Sequence, residues 1–427
     1  MDTPSWEQRI LDEIDTHADE LIGLASDLIR TPSENPPGDC TDVARVIEEY
    51  LVDHGVPAEI HDAGEGRVNV LSHLRSEHPR EDARHLVLSG HHDVVPVGDP
   101  SGWSFPPFSG DVVDGYLRGR GASDMKAGLA GVIFTHALLH RLGVPLAGDV
   151  SLASVCDEEA GGPLGADWVL EQGLLQGATG AIIAEPAERT HPTIGQKGSN
   201  WFRMTLRGRP GHGSLQPVHG VSANLLAARA VLALQKLWDM ETHPSEDVKP
   251  LIELSKVHAE EREGYQPGVS AVFEHVTINI GTIHGGSSAN VVADTCVVEV
   301  DTRVPIGLSR AEVLARVGEL LAEEGIEATI EPIGFCSEPN WTLASDPVVS
   351  TLVDTLRELS GDPETSGVLQ WASSDARTFR SHGIPVLQYA PAELATIHGF
   401  DERVRVEDIV LAAKTYALTT LRYVGVA

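Results

Sequence analysis

Strand-like runs alternate with helical stretches through the first half of the chain, and this alternation restricts the fold more than any other feature. The strand-like runs fall at 68–74, 85–89, 149–155 and 180–184, and the helical ones at 44–54, 126–142 and 165–172. Alternation of this kind predicts an α/β layer, a mainly parallel sheet flanked by helices. Ahead of it, residues 1–30 are acidic and carry a helical period in Ile10, Ile14, Leu21, Leu24 and Leu28. Residues 31–39 (TPSENPPGD) form a turn-rich loop.

The middle of the chain has a different rhythm. Strand-like segments at 201–207, 277–283, 296–303 and 328–332 frame an Ala/Leu-rich helix at 221–237 and a second helix at 309–324, with Ser309 as its N-cap. The order β-α-β-β-α-β suits a small ferredoxin-like α+β domain inserted into the first. A chain of 427 residues is too long for one ordinary core, so two domains are expected. The boundaries read as 1–197 with 336–427 for the outer domain and 198–335 for the insert. Residues 243–269 look polar and irregular and are expected to be a long loop.

Composition narrows the function. The net charge is −32, with only 31 Lys and Arg. The chain shows no basic stripe for a phosphate backbone or an anionic bilayer, so neither nucleic acid nor membrane is an expected partner. The N-terminus shows no basic segment followed by an apolar one, and no apolar run reaches spanning length. Cys40, Cys156, Cys296 and Cys336 lack ligand spacing and read as reduced thiols. A cytoplasmic protein is expected.

Acids and histidines gather at five strand or loop ends. LVLSGHHDVVPV brings His91 and Asp93 to the end of a strand, with His92 between them. GRGASDMKAG places Asp124 in a Gly-rich turn before a helix, and ASVCDEEAGG closes a strand with Asp157, Glu158 and Glu159. AIIAEP ends an apolar strand on Glu185, and TIHGFDE holds His398 ahead of the last helix. Singly, each has an ordinary structural reading: a surface His-Asp pair, a helix N-cap, an acidic first turn, a loop Glu, a structural His. Jointly they supply the imidazole and carboxylate mixture that divalent metals favour, at the carboxyl ends of strands where α/β proteins place their sites. There is one carboxylate more than a single zinc needs, which points to a bridged pair of metals.

GHHDVVP, the W-x-x-x-P-F segment from Trp103, GRGASDMKAG, DEEAGG, EP, Gly211-His212, GGSSANVVAD, DTR, SDAR and HGFDE follow one another in order over nearly the whole chain. In this the sequence resembles the M20 metallopeptidase and deacylase family: acetylornithine deacetylase, succinyl-diaminopimelate desuccinylase, aminoacylase and glutamate carboxypeptidase. The resemblance implies that Asp124 bridges two divalent metals, zinc first, with cobalt or manganese as alternatives. His91 and Glu185 would complete one metal, and Glu159 and His398 the other. Asp93 would orient His91, and Glu158 would be the general base. His212 in the insert would stabilise the oxyanion, reaching in from a partner subunit of a homodimer. Asn290 and Arg303 would bind a substrate carboxylate, with Gly285 and Gly286 shaping the loop before Asn290. Asp375 and Arg377 would lie near the site, and His92 would be structural.

The reaction implied is hydrolysis of an amide in an N-acyl amino acid or short peptide with a free carboxylate. Glu at 185 leans towards deacylases, while a dipeptidase or carboxypeptidase would use the same site. A binding protein on the same fold would lack a ligand or the base, and none is missing. No G-x-S-x-G or H-E-x-x-H motif is present.

Overall fold

The computed structural model describes residues 5–261 and 265–427. The parts of the expectations for 1–30 and 243–269 that fall on 1–4 and 262–264 lie outside the described residues. The chain divides into two compact units. One comprises Met1–Ile194, Thr342–Val368 and Ser374–Ala427; the other comprises Gly195–Trp341 with the short piece Leu369–Ser373.

The larger unit is built on a mixed sheet. Its strands lie in the order Glu59–Asp62, Val68–Leu74, Asp149–Val155, His85–His91, Gly180–Ala187 and Val386–Pro391. The last four run parallel to one another, whereas Glu59–Asp62 and Val68–Leu74 join antiparallel at the edge. His85–His91 is buried at every position, as a strand covered on both faces must be. The helix Ala127–Arg141 is buried from Ala127 through Leu139. It can lie close to the sheet because Gly128 has no side chain: a Cβ there would collide with the carbonyl oxygen of Ala184. The final helix, Val406–Val424, has acids in its first turn and Arg422 in its last, matching the helix dipole.

At the N-terminus two helices replace the single one expected. Trp6–Thr16 and Ala18–Arg30 are separated at His17, where φ is −107°. The apolar period continues across the break, with Ile10, Ile14, Leu21, Leu24 and Leu28 all buried, so periodicity alone does not reveal it.

The smaller unit has the β-α-β-β-α-β order. Its antiparallel sheet runs Thr277–Gly285, Thr295–Val304, Gly198–Arg207 and Ala328–Pro332. Phe202, Met204 and Leu206 pack with Ala227, Ala230, Val313, Val317 and Leu320 of the helices Ala223–Leu234 and Arg310–Glu323. Ser309 caps the second helix in a reciprocal box with Glu312. The expectation of a loop at 243–269 is corrected by the helix Lys249–Glu261. Val248, Leu251, Ile252, Ser255 and Ala259 are buried along one stripe. Lys249, Glu253, Lys256, Glu260 and Glu261 fill the remaining faces, so the segment reads as polar in sequence.

Candidate active site

Sheet register assembles the site. In the parallel ladder His91 lies level with Val155, and Ser89 with Ile183. Two residues beyond Ser89 and Ile183 come His91 and Glu185, and two beyond Val155 comes Asp157. Three carboxyl strand ends therefore present His91, the loop of Glu158 and Glu159, and Glu185 side by side. The turn Ala122–Lys126, just before the buried helix, brings in Asp124. The loop at His398, a left-handed residue with φ 59°, supplies the second imidazole.

Asp124 divides its carboxylate between two histidines. Its Oδ1 is 3.1 Å from His91 Nε2, and its Oδ2 is 3.2 Å from His398 Nε2. His91 Nε2 is also 3.7 Å from Glu185 Oε2, and His398 Nε2 is 3.3 Å from Glu159 Oε2. Donor atoms on a tetrahedral metal with bonds of about 2.0–2.1 Å are about 3.3 Å apart, so this spacing suits a coordination shell. His91, Glu158 and Glu185 form one group with donor atoms within 4.8 Å, and His91, Asp124 and Glu159 another.

The protonation pattern points the same way. Burial, reinforced by Glu185, holds the Glu158 carboxyl well above the usual range. Burial also raises Glu185, and it raises Glu159 to about 7 against the pull of His398. Contacts with Asp124 and Glu159 lift His398 to about 10. In His91, burial is outweighed by Asp124, Asp93 and Glu185, and the ring is raised well above its ordinary value. Burial would raise Asp124, but the two imidazoles hold it low. The cluster therefore carries more negative charge than its own side chains neutralise, and protons retained on acids and imidazoles make up the difference. Divalent cations would do so with the same donors, so the residues fit a pair of metals.

Asp93 faces His91 Nδ1 with both its backbone carbonyl and its carboxylate. His91 Nδ1 is 2.9 Å from the backbone carbonyl of Asp93, and the Asp93 carboxylate is farther away at 3.6 Å. That carboxylate accepts the backbone N–H groups of Glu158 and Glu159 at 3.1 and 3.2 Å, and the Asn35 amide at 2.9 Å. His92 points elsewhere, is fully buried, and pairs with Ser154 Oγ at 2.8 Å. Asp375 and Arg377 are buried beside the acidic loop, where Arg377 donates to the Gly161 carbonyl. Burial raises Asp375 to about 7.

Sequence reasoning gave no role to Glu402. It is fully buried, accepts the N–H groups of Ser123 and Asp124 at 2.9 and 3.0 Å, and pairs with Arg120 at 2.5 Å. It thereby joins the turn of Asp124 to the loop of His398; breaking such a buried pair costs about 3–5 kcal/mol. Nothing local in the sequence marks it beyond its place four residues after His398.

The remaining candidates lie on the smaller unit, two of them together and the third apart. His212 and Asn290 are neighbours: the Gly213 N–H donates to the Asn290 carbonyl at 2.8 Å, and both side chains are exposed. Arg303 is at the far end of the strand Thr295–Val304, paired with Asp301 at 2.9 Å and lying over Trp201. Eight residue steps at about 3.3 Å put it about 26 Å from the end of the strand nearest Asn290.

The sequence profile of Peptidase family M20/M25/M40 matches residues 87–422. A succinyl-diaminopimelate desuccinylase of Cereibacter sphaeroides is 30% identical over 406 residues, covering 91% of this chain and 94% of that protein. The N-formyl-4-amino-5-aminomethyl-2-methylpyrimidine deformylase of Halalkalibacterium halodurans is 26% identical over 433 residues, covering 96% and 95%. Among solved structures, an M20 family metallo-carboxypeptidase of Sulfolobus solfataricus superposes with a TM-score of 0.77 at 20% identity, covering 95% of this chain and 99% of that one, a likeness of fold. With 336 residues inside the profile and relatives matched nearly end to end, this chain belongs to Peptidase family M20/M25/M40, whose members hydrolyse amide or peptide bonds.

Proposed function

We propose that this hydrolase removes an N-acyl group from an amino acid derivative bearing a free carboxylate, using two divalent metals, zinc first. The observation that carries the reading is the split carboxylate of Asp124, one oxygen to His91 and the other to His398. His91 and Glu185 would hold one metal, Glu159 and His398 the other, and Asp124 would bridge. Bound there, the metals acidify a water and polarise the substrate carbonyl.

The chain's own groups do the rest. Glu158 takes the proton of the attacking water and passes it to the leaving amine. Its carboxyl lies with His91 and Glu185 but is assigned to neither metal, which leaves it free to carry that proton between the two steps. Glu402 and Arg120 keep the Asp124 turn in place. Arg303 offers a planar fork to the substrate carboxylate. His212 and Asn290 lie beyond the strand end that is about 26 Å from Arg303, a span longer than an amino-acid-sized substrate, which favours a site shared between two chains. His212 and Asn290 would then reach the site of a partner. Leu225 and Leu232 of the helix Ala223–Leu234 are exposed, as is Ile283 on the edge strand, and these apolar side chains suit a homodimer contact. No helix among the described residues is long and apolar enough to cross a membrane. The four cysteines are free thiols, which suits a reducing cytoplasm.

The test is a hydrolysis panel of acetylated, succinylated and formylated amino acids and of dipeptides, with zinc, cobalt and manganese forms. An N-acyl amino acid should be the best substrate, and its amide or ester a poor one. Equal rates on acid and amide would remove the role of Arg303, and a preference for dipeptides would move the enzyme to the peptidase side.

A further inference from the structure

The turn-rich segment 31–39 ends in the site through Asn35. The segment is fastened along the strand end that carries His91: the Val94 N–H donates to the Ser33 carbonyl at 3.0 Å, and the Asn35 N–H to the Val94 carbonyl at 2.8 Å. Ser33 Oγ donates to the His92 carbonyl at 2.5 Å, and Glu34 Oε1 accepts the Val97 N–H at 2.9 Å. Asn35 therefore has a fixed mount, and it is 4% exposed. Its amide nitrogen donates to Asp93 Oδ2 at 2.9 Å and to Asp157 Oδ1 at 3.1 Å. The opposite amide orientation would set the carbonyl oxygen against both carboxylates, so the chemistry allows one assignment.

Those two carboxylates hold the loop that carries Glu158 and Glu159 from both sides. Asp93 accepts the backbone N–H groups of Glu158 and Glu159, and Asp157 Oδ2 accepts that of Leu164 at 3.3 Å. Asp157 itself adopts φ 67°, so its backbone turns sharply just before Glu158. Two buried carboxylates this close need a donor between them, and Asn35 supplies one hydrogen to each.

We propose that Asn35 is a positioning residue for the reaction, bracing Asp93 and Asp157 together so that Glu158 and Glu159 face the site at a fixed angle. The role rests on the reading of Glu158 as base and Glu159 as metal ligand given above.

The test uses the full chain and zinc. Asn35→Asp keeps the shape but sets a third carboxylate against the other two, whereas Asn35→Ala leaves room for a water to donate. Zinc affinity, read by competition with a chelator, should fall about ten- to a hundred-fold, and further in Asn35→Asp than in Asn35→Ala. At saturating zinc, kcat should fall about ten-fold or more with KM within about two-fold. Wild-type zinc affinity and kcat in Asn35→Asp would overturn the proposal. A lower melting temperature with both unchanged would do the same, since packing alone would then explain the residue. A larger loss in Asn35→Ala than in the isosteric Asn35→Asp would also overturn it. If Asn35→Asp does not fold, the zinc affinity of Asn35→Ala decides, with about a ten-fold loss expected and no loss overturning the role. The affinity readout needs no substrate, so it separates this proposal from the hydrolytic reading, which an inert wild type would sink alone.

Discussion

Glu158 and Glu159 are adjacent yet are assigned different duties, and the backbone shows how neighbours can differ. Their N–H groups share one acceptor, Asp93, while the Glu159 side chain turns to His398 and the Glu158 carboxyl lies with His91 and Glu185. Glu158→Gln should therefore keep both metals, since it removes the base and no assigned ligand, and should lose turnover by about a hundred-fold or more. Metal analysis alongside kinetics checks this; loss of metal would make Glu158 a ligand instead. At this scale the donor cluster was legible in sequence, because four of its members end a strand or sit in the turn that follows one or leads into a helix, His398 lies in a loop ahead of the last helix, and the residue types suit metal binding. Asn35 and Glu402 were not. They act through hydrogen bonds to groups 58 and 279 positions away, Asp93 and Ser123, and such pairings leave no local pattern.

Among the elements, the buried helix Ala127–Arg141 and the sheet share a hydrogen bond that makes the fold sensitive to acid. His136 is fully buried, with Nε2 2.9 Å from Ser72 Oγ on the strand Val68–Leu74. Burial lowers its pKa from 6.5 to about 3. The unfolded chain binds the proton near 6.5 and the folded chain does not, so stability is full above that pH and falls as pH drops towards 3. At pH 5 the loss from this one group is about 2 kcal/mol. Urea midpoints at pH 8 and pH 5 should differ by less in His136→Gln than in wild type; an unchanged gap would rule the residue out as the source. The central strands and the β-α-β-β-α-β insert were readable from alternation and order. The helix Lys249–Glu261 was not, because charged residues fill the faces beside its short buried stripe, nor was the break at His17, which interrupts the backbone without interrupting the period.

For the whole molecule, the question is which chain supplies which part of the site. Combining inactive His212→Ala with inactive Glu158→Gln and refolding them together should restore a fraction of wild-type activity. Each mixed dimer would hold one site lacking both groups and one with both intact. If heterodimers form and activity does not return, His212 serves its own chain or none. The placing of His212 and Asn290 beyond one end of the smaller unit's sheet, with Arg303 at the other, has a further consequence, for behaviour on dilution. If each site draws on two chains, a solitary chain holds every metal ligand but no finished catalyst. Rate per chain would then stop being constant once the protein is thinner than its dimer dissociation constant, and it would decline with each further dilution while the metal stayed bound.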